Sequence, residues 1–103
     1  MNRLTTRREL LRRARGGNAR DQFELAQHYD LVPPKDRGRA RFWYRKAAQQ
    51  GHSVAQNNLG ELLRDVMNGR REMLHWFRKA AEQGESNAQL SLGYALFYGK
   101  GIR

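Results

Sequence analysis

Apolar residues recur along the chain with the spacing of amphipathic helices. Two stripes of apolar side chains follow an i, i+3, i+4 pattern: Ala40, Trp43, Tyr44, Ala47 and Ala48, then Ala55, Leu59, Leu62 and Leu63. This spacing is typical of helices and not of strands. We predict six helices, near residues 4–15, 19–30, 36–50, 52–65, 69–83 and 85–98, with boundary errors of about 2 to 4 residues.

Several residues mark where these helices begin and end. Asp36 and Asn68 are candidate N-caps of the third and fifth helices, because short polar side chains accept hydrogen bonds from the first turn. Gly51 and Gly84 follow the third and fifth helices, where a left-handed residue is usual. The Pro33-Pro34 pair separates the second helix from the third, since proline cannot continue a helix.

A nine-residue block occurs twice. Residues 43–51 read WYRKAAQQG and residues 76–84 read WFRKAAEQG, an offset of 33 positions, and a fainter copy begins near Gly17. A repeat of this length buries its apolar face only by stacking on its neighbours. The sequence therefore predicts an all-α solenoid of helical hairpins, with Trp43 and Trp76 in its core. We expect Gly60 and Gly93, inside helices, to mark close approach of a neighbouring helix.

These blocks resemble the Sel-one-like repeat (SLR) family, relatives of the tetratricopeptide repeats, whose second helix carries the pattern W-Y-x-K-A-A-x-Q-G. The resemblance covers residues 17–103 and implies a right-handed solenoid of helical hairpins, in one domain spanning residues 1–103. That domain comprises about two full repeats, a degenerate one at 17–50 and one at 51–83, with a basic N-terminal capping helix at 1–16 and a half repeat at 84–103. Asp21 and Ala26 depart from the family pattern.

The resemblance also implies a function. Such repeats commonly assemble protein complexes, and some bacterial members act as immunity or regulatory partners of secreted toxins. Cysteine-rich members credited with penicillin binding rely on disulfides, and this chain has no cysteine. We therefore predict a non-catalytic scaffold or adaptor without a cofactor or a metal. The three histidines form no metal or nucleophile motif, and we expect His28 to pack on its helix and His52 and His75 to be solvated.

The first helix of each repeat provides the candidate binding surface, because the first helices line the inner surface of such solenoids. Nine residues lie opposite the apolar stripe, and we call them the concave face: Phe23, Gln27, Asp30, Asn57, Glu61, Arg64, Leu90, Tyr94 and Phe97. Side chains on such a scaffold suit an extended peptide or a partner helix. The alternative is that Phe23, Leu90 and Phe97 only pack between repeats.

Charge offers a second class of function. The chain has 20 Lys and Arg against 10 Asp and Glu, a formal net charge of +10. Five arginines crowd the first helix: Arg7, Arg8, Arg12, Arg13 and Arg15. Arginine binds phosphate well, so the alternative is a salt-sensitive binder of nucleic acid or another acidic surface. No recognised nucleic-acid module accompanies this cluster.

Two further expectations concern location and assembly. We expect a cytoplasmic protein without membrane contact, because no export signal or membrane-spanning stretch is visible and cysteine is absent. Helix 85–98 is apolar nearly all round, and a helix of that kind requires burial. We therefore expect self-association through this helix.

Overall fold

The computed structural model describes residues 6–98, which form six α-helices and, within that range, no strand. The helices are α1 (Arg7–Ala14), α2 (Ala19–Leu31), α3 (Arg37–Gln49), α4 (Ser53–Leu62), α5 (Arg70–Glu82) and α6 (Ser86–Tyr98). The prediction of six helices is confirmed. The predicted start of the first helix at residue 4 lies outside the described residues.

Each helix packs on the next one along the chain, and α6 also contacts α4. The pairs α2/α3 and α4/α5 are the two hairpins, with α1 before them and α6 after them. The described chain measures 46 × 27 × 20 Å, an elongated form that follows from stacking on sequence neighbours. The all-α solenoid is confirmed.

The helix ends follow the predicted chemistry, with one exception. The Asp36 carboxylate accepts a hydrogen bond from the Arg39 amide and caps α3. Gly51 and Gly84 have φ of 95° and 90°, so both adopt the left-handed conformation that glycine tolerates. The assignment of Asn68 as an N-cap is wrong. Asn68 has φ of 62° and turns the chain, so Gly69 takes the N-cap position without a side-chain hydrogen bond.

Helix α4 also ends earlier than predicted, at Leu62 instead of residue 65. The Leu63 amide donates to both Leu59 and Gly60, and the Arg64 amide donates to Glu61. The bonds to the Gly60 and Glu61 carbonyls are of the i→i+3 type, and they tighten the last turn and close the helix.

Large rings fill the core, packed among alanines. Tyr44 and Phe77 are fully buried, and Trp76 is buried beside them. Trp43 is half-buried against the same cluster, so its ring is less enclosed than that of Trp76. A Cβ atom at Gly60 would lie 2.4 Å from the Phe77 ring. The expected close approach at Gly60 is therefore confirmed.

The same expectation is wrong for Gly93. A Cβ atom there would meet nothing within 4 Å, because within residues 6–98 no helix covers that side of α6.

Paired glutamines connect the two helices of each hairpin. Gln50 Nε2 donates to Gln22 Oε1 at 2.8 Å, and Gln83 Nε2 donates to Gln56 Oε1 at 3.0 Å. Gln56 Nε2 in turn donates to the Ala48 carbonyl at 3.1 Å. Gln22 and Gln56 are buried, and these bonds offset the cost of removing their amides from water.

Two glycine substitutions test this account of the core. Gly60→Ala should lower the free energy of unfolding by about 1 to 3 kcal/mol, the usual cost of overpacking, because the new methyl group overlaps the Phe77 ring. Gly93→Ala is the matched control and should stabilise the chain by up to about 1 kcal/mol through helix propensity. Urea unfolding of both variants measures the difference. Equal effects would show that the contact at Gly60 carries no constraint.

Candidate binding surface

The α6 part of the concave face is exposed and apolar. Leu90 and Phe97 are each 73% exposed, and Tyr94 is 59% exposed. The Tyr94 and Tyr98 rings lie 4.4 Å apart between centroids, so the aromatic groups cluster on the surface. For Leu90 and Phe97 the alternative of packing between repeats is wrong, since no neighbouring helix within residues 6–98 encloses them.

The α4 part of the concave face carries a fixed ion pair. Arg64 Nε donates to Glu61 Oε1 at 2.7 Å, and the Ser91 hydroxyl donates to Glu61 Oε2 at 2.7 Å, which ties α6 to α4. Burial acts to raise the pKa of Glu61, but the hydrogen bonds from Arg64 and Ser91 hold that pKa below its ordinary value. The Arg64 guanidinium also lies 5.6 Å from the centroid of the Phe77 ring. Both charged side chains are therefore held in place.

The prediction that Asn57 contacts a partner on the concave face is wrong. Its side chain is buried, and its Oδ1 atom has no hydrogen-bond partner within the described part of the chain. An unpaired buried acceptor costs stability. Asn57 is therefore largely withdrawn from the surface, and its Oδ1 atom is not accessible to a partner.

The α2 part of the concave face is engaged inside the molecule. Phe23 stacks on the His52 ring with centroids 4.5 Å apart, so here the alternative of packing between repeats is correct. The Tyr44 hydroxyl donates to Asp30 Oδ2 at 3.0 Å. Burial and the neighbouring Asp30 carboxylate raise the pKa of Tyr44 above its ordinary value. Gln27 is half-buried, which leaves the accessible concave face at α4 and α6.

The expectation that His52 is solvated is wrong. Its Nδ1 atom accepts a hydrogen bond from the Ala55 amide at 3.1 Å and caps α4. Burial lowers the pKa of His52. Sequence reasoning missed this role because His is not among the preferred N-caps. His28 is half-buried as expected, and its Nδ1 atom accepts from Arg7 Nε at 2.9 Å, while His75 is exposed beside Trp76.

The prediction that Arg7 contacts an anion is wrong, because its guanidinium is already engaged by groups within the molecule. Its Nη2 group donates to the carbonyls of Val32 and Pro34 at 2.6 Å each. Its guanidinium lies 4.7 Å from the centroid of the Tyr29 ring. Arg7 therefore joins α1 to the turn between α2 and α3.

Of the other four arginines in this cluster, one forms an ion pair and three form an exposed stripe. Arg13 lies 3.8 Å from the Glu24 carboxylate. Arg8, Arg12 and Arg15 are exposed and make no side-chain hydrogen bond or ion pair within residues 6–98. Their i, i+4, i+7 spacing places these three arginines on one face of α1.

An ion pair on the other side of the solenoid was also missed. Arg45 donates two hydrogen bonds to Glu72, at 2.8 and 3.0 Å, and Trp76 Nε1 donates to the same carboxylate at 3.1 Å. The hydrogen bonds from Arg45 are the main reason that the pKa of Glu72 is lowered. Sequence separation hides this contact, because the two residues belong to different hairpins.

The described residues contain neither a metal-binding cluster nor a membrane-spanning helix. No group of three or more metal-ligating side chains occurs in residues 6–98. None of the helices there is long and apolar enough to cross a membrane.

Comparison with known proteins identifies the family. A family model of the Sel1 repeat matches residues 19–52, 53–69, 74–85 and 86–103. These matches cover most of the sequence, so the chain belongs to the Sel1 repeat family, as the W-aromatic-R-K-A-A blocks predicted. Sel1 repeats are generally protein–protein interaction modules, and proteins built from them are typically non-catalytic scaffolds.

Two solved structures share the fold. A protective antigen present in uropathogenic Escherichia coli strains, which displays an SLR fold, matches with a TM-score of 0.85 and 38% sequence identity, over 94% of this chain and 22% of the antigen chain. A Sel1 repeat protein from Oxalobacter formigenes matches with a TM-score of 0.76 and 33% identity, over 94% of this chain and 42% of the other. This chain therefore spans less than half the length of either relative. No curated protein matches it.

The histidine cap predicts a pH-dependent stability. Since the folded-state pKa of His52 is lowered, the unfolded chain takes up the proton more readily. Stability should therefore be complete above the unfolded pKa of about 6.5 and should fall as the pH decreases below it. His28, whose pKa is lowered by burial and by Arg7, acts in the same direction.

Thermal melts between pH 7.5 and pH 5 measure this effect, with His52→Asn as the variant. Asparagine is a good N-cap that does not titrate, so His52→Asn should keep α4 capped and reduce the loss of melting temperature at acid pH. An unchanged pH profile in His52→Asn would show that the cap does not titrate.

Proposed function

We propose that this chain is a non-catalytic scaffold that binds another protein through the α4 and α6 part of its concave face. The supporting observation is the exposure of Leu90, Tyr94 and Phe97 beside the fixed Glu61–Arg64 pair. Exposed aromatic side chains on a helix provide a large contact area and lose little conformational entropy on binding. The fold class and the family agree with this role.

The chemistry of this surface selects the kind of partner. Glu61 and Arg64 neutralise each other, so a partner does not need a strong net charge. The apolar side chains favour a partner with two or three large apolar groups along one edge. An extended peptide or an amphipathic helix has that form.

Affinity capture with matched variants tests this function. Tyr94→Arg places a charge among the aromatic groups and should abolish capture of any specific partner. Lys79→Glu is the control, because Lys79 is exposed on the second helix α5, and it should capture the partner as the wild type does. Retention by Tyr94→Arg, or loss with Lys79→Glu, would assign binding to another surface.

Self-association through α6 is the form of this proposal in which the partner is a second copy of the chain. Sedimentation over a range of concentrations separates the two forms. Leu90→Glu and Phe97→Glu should reduce the mass of a self-associating chain and leave a monomer unchanged. A cytoplasmic location stays a prediction.

The second candidate function is binding to nucleic acid or another acidic surface, and the arginine stripe on α1 favours it. Arg8, Arg12 and Arg15 form no ion pair with a carboxylate within the described residues. Phosphate contacts by such a stripe are independent of base sequence.

Salt dependence distinguishes this function from protein binding. The logarithm of the affinity for a DNA duplex should fall against the logarithm of the salt concentration with a slope of about −0.9 for each phosphate contact. Replacing Arg8, Arg12 and Arg15 together by Gln should make this slope shallower by the contribution of about three phosphate contacts. Arg39→Gln should leave the slope unchanged, since Arg39 is paired with Asp36. An absence of DNA and RNA binding at low salt would exclude this function.

A further inference from the structure

Helices α1, α3 and α5 lie side by side in one layer of the solenoid. Trp43 of α3 packs against the cluster that contains Leu10 and Ala14 of α1. Arg45 of α3 donates two hydrogen bonds to Glu72 of α5. Helices α4 and α6 contact each other in the other layer, which carries the concave face. We call the solvent-exposed side of α1, α3 and α5 the outer face.

Charge is divided unevenly between the two layers. Helices α1, α3 and α5 hold four, five and four basic residues against one, zero and two acidic ones. Helices α2, α4 and α6 together hold one basic residue and four acidic residues. Among the acids of the outer layer, Glu72 is bound by Arg45 and Glu9 accepts from the Thr6 amide. The positive charge of the helices therefore resides on the layer opposite the concave face, where it attracts polyanions.

The outer face repeats a pair of side chains on each of its helices. Each pair consists of a planar side chain and, four residues later, a cation: Arg8 and Arg12 on α1, Phe42 and Lys46 on α3, and His75 and Lys79 on α5. All six are exposed, and they recur at offsets of 34 and 33 positions, which also relate the buried residues Leu10, Tyr44 and Phe77. The four-residue spacing places both members of a pair on the same side of a helix. Since packed helices lie about 8–10 Å apart, the pairs form two rows across the outer face.

The two aromatic members of these pairs are held in the same way. The Phe42 ring meets Trp43 edge-on, with centroids 5.1 Å apart. The His75 ring meets Trp76 edge-on at 4.7 Å. Both tryptophans contact the core, yet Phe42 is 50% exposed, and Lys46 Nζ lies 5.4 Å from its centroid. The core therefore holds an exposed ring beside a positive charge on the outer face.

Planar side chains beside cations are the groups that bind single-stranded nucleic acid. Unpaired bases stack on aromatic rings, histidine included, and on arginine guanidinium planes, while neighbouring cations contact phosphates. The bases of a duplex are already stacked on one another and offer such a ring no partner. Attachment to a membrane requires apolar area, and Phe42 is the one large apolar side chain exposed among the described residues of α1, α3 and α5. The chemistry of the outer face therefore favours a single strand.

We propose that the outer face binds single-stranded nucleic acid, with bases stacked on its planar side chains and phosphates bound by the cations four residues later. This inference rests on the second candidate function, which requires only the arginine stripe on α1, and extends it to α3, α5 and a single strand. Because the outer face and the concave face belong to opposite layers, the nucleic acid leaves the concave face open to a protein.

Fluorescence anisotropy of a labelled oligothymidylate about 15 nucleotides long measures binding to the full chain, and the same strand annealed to its complement provides the duplex. At equal salt concentration we expect the single strand to bind more tightly than the duplex. Phe42→Ala should weaken single-strand binding about 5- to 100-fold, the effect of losing one stacked base, and leave duplex affinity unchanged. Alanine at this position keeps α3 helical.

Matched variants separate stacking from charge and from the other layer. Phe42→Tyr keeps the ring and should bind as the wild type does, whereas Phe42→Leu, apolar but without a ring, should bind as weakly as Phe42→Ala. Phe97→Ala removes an exposed ring from α6 and should have no effect. Lys46→Gln combined with Lys79→Gln should make the salt slope shallower by about 1.4, or about 0.7 for each phosphate contact of a single strand.

Three results would overturn this inference: equal affinity for the single strand and the duplex, equal binding by the wild type and Phe42→Ala, or a salt slope that does not respond to loss of Lys46 and Lys79. If the slope still responds to replacement of the arginine stripe, the second candidate function stands and is confined to α1. Binding to vesicles that contain phosphatidylserine, lost in Phe42→Ala and without any binding of oligothymidylate, would assign the outer face to a membrane surface instead.

Discussion

The contact between the Phe77 ring and the backbone of α4 at Gly60 sets the spacing on which the second hairpin depends. Glycine inside a helix costs about 1 kcal/mol relative to alanine, and burial of a large ring offsets that cost. At this separation Gln83 reaches Gln56, and Gln56 reaches back to Ala48 in the preceding hairpin. A wider spacing would leave Oε1 of the buried Gln56 without its hydrogen bond from Gln83. One ring and one missing side chain therefore determine both the packing and the polar contacts.

Several of the basic side chains behind the high net charge are engaged in contacts within the molecule and are not available to a partner. Arg45 joins α3 to α5 through Glu72, and Arg7 joins α1 to the loop after α2. Both arginines act as connectors between consecutive units of the solenoid, where planar guanidinium groups satisfy several acceptors at once. The stripe of Arg8, Arg12 and Arg15 is different, because α1 presents those three side chains to solvent.

The helices and the core were predictable because the repeat records them twice. The period gives the hairpins, and the W-aromatic-x-x-A-A block marks the residues that interlock. The site was less predictable, because it depends on which neighbours are present. Gly60 and Gly93 stand in equivalent local sequences, yet only Gly60 meets a ring. Asn57 and Leu90 occupy equivalent positions, yet the polar residue is buried and the apolar one is exposed. Periodicity assigns a face to a residue, but the next helix decides its burial.

Helix α6 carries the apolar part of the concave face, and its attachments to α4 and α5 hold that part in place. It packs on α5, accepts a hydrogen bond from Arg70 at the Ala95 carbonyl and donates one from Ser91 to Glu61. These contacts fix the position of α6 in the solenoid. Leu90, Tyr94 and Phe97 are therefore presented on a helix that is already held in place, which lowers the ordering cost when a partner binds the concave face.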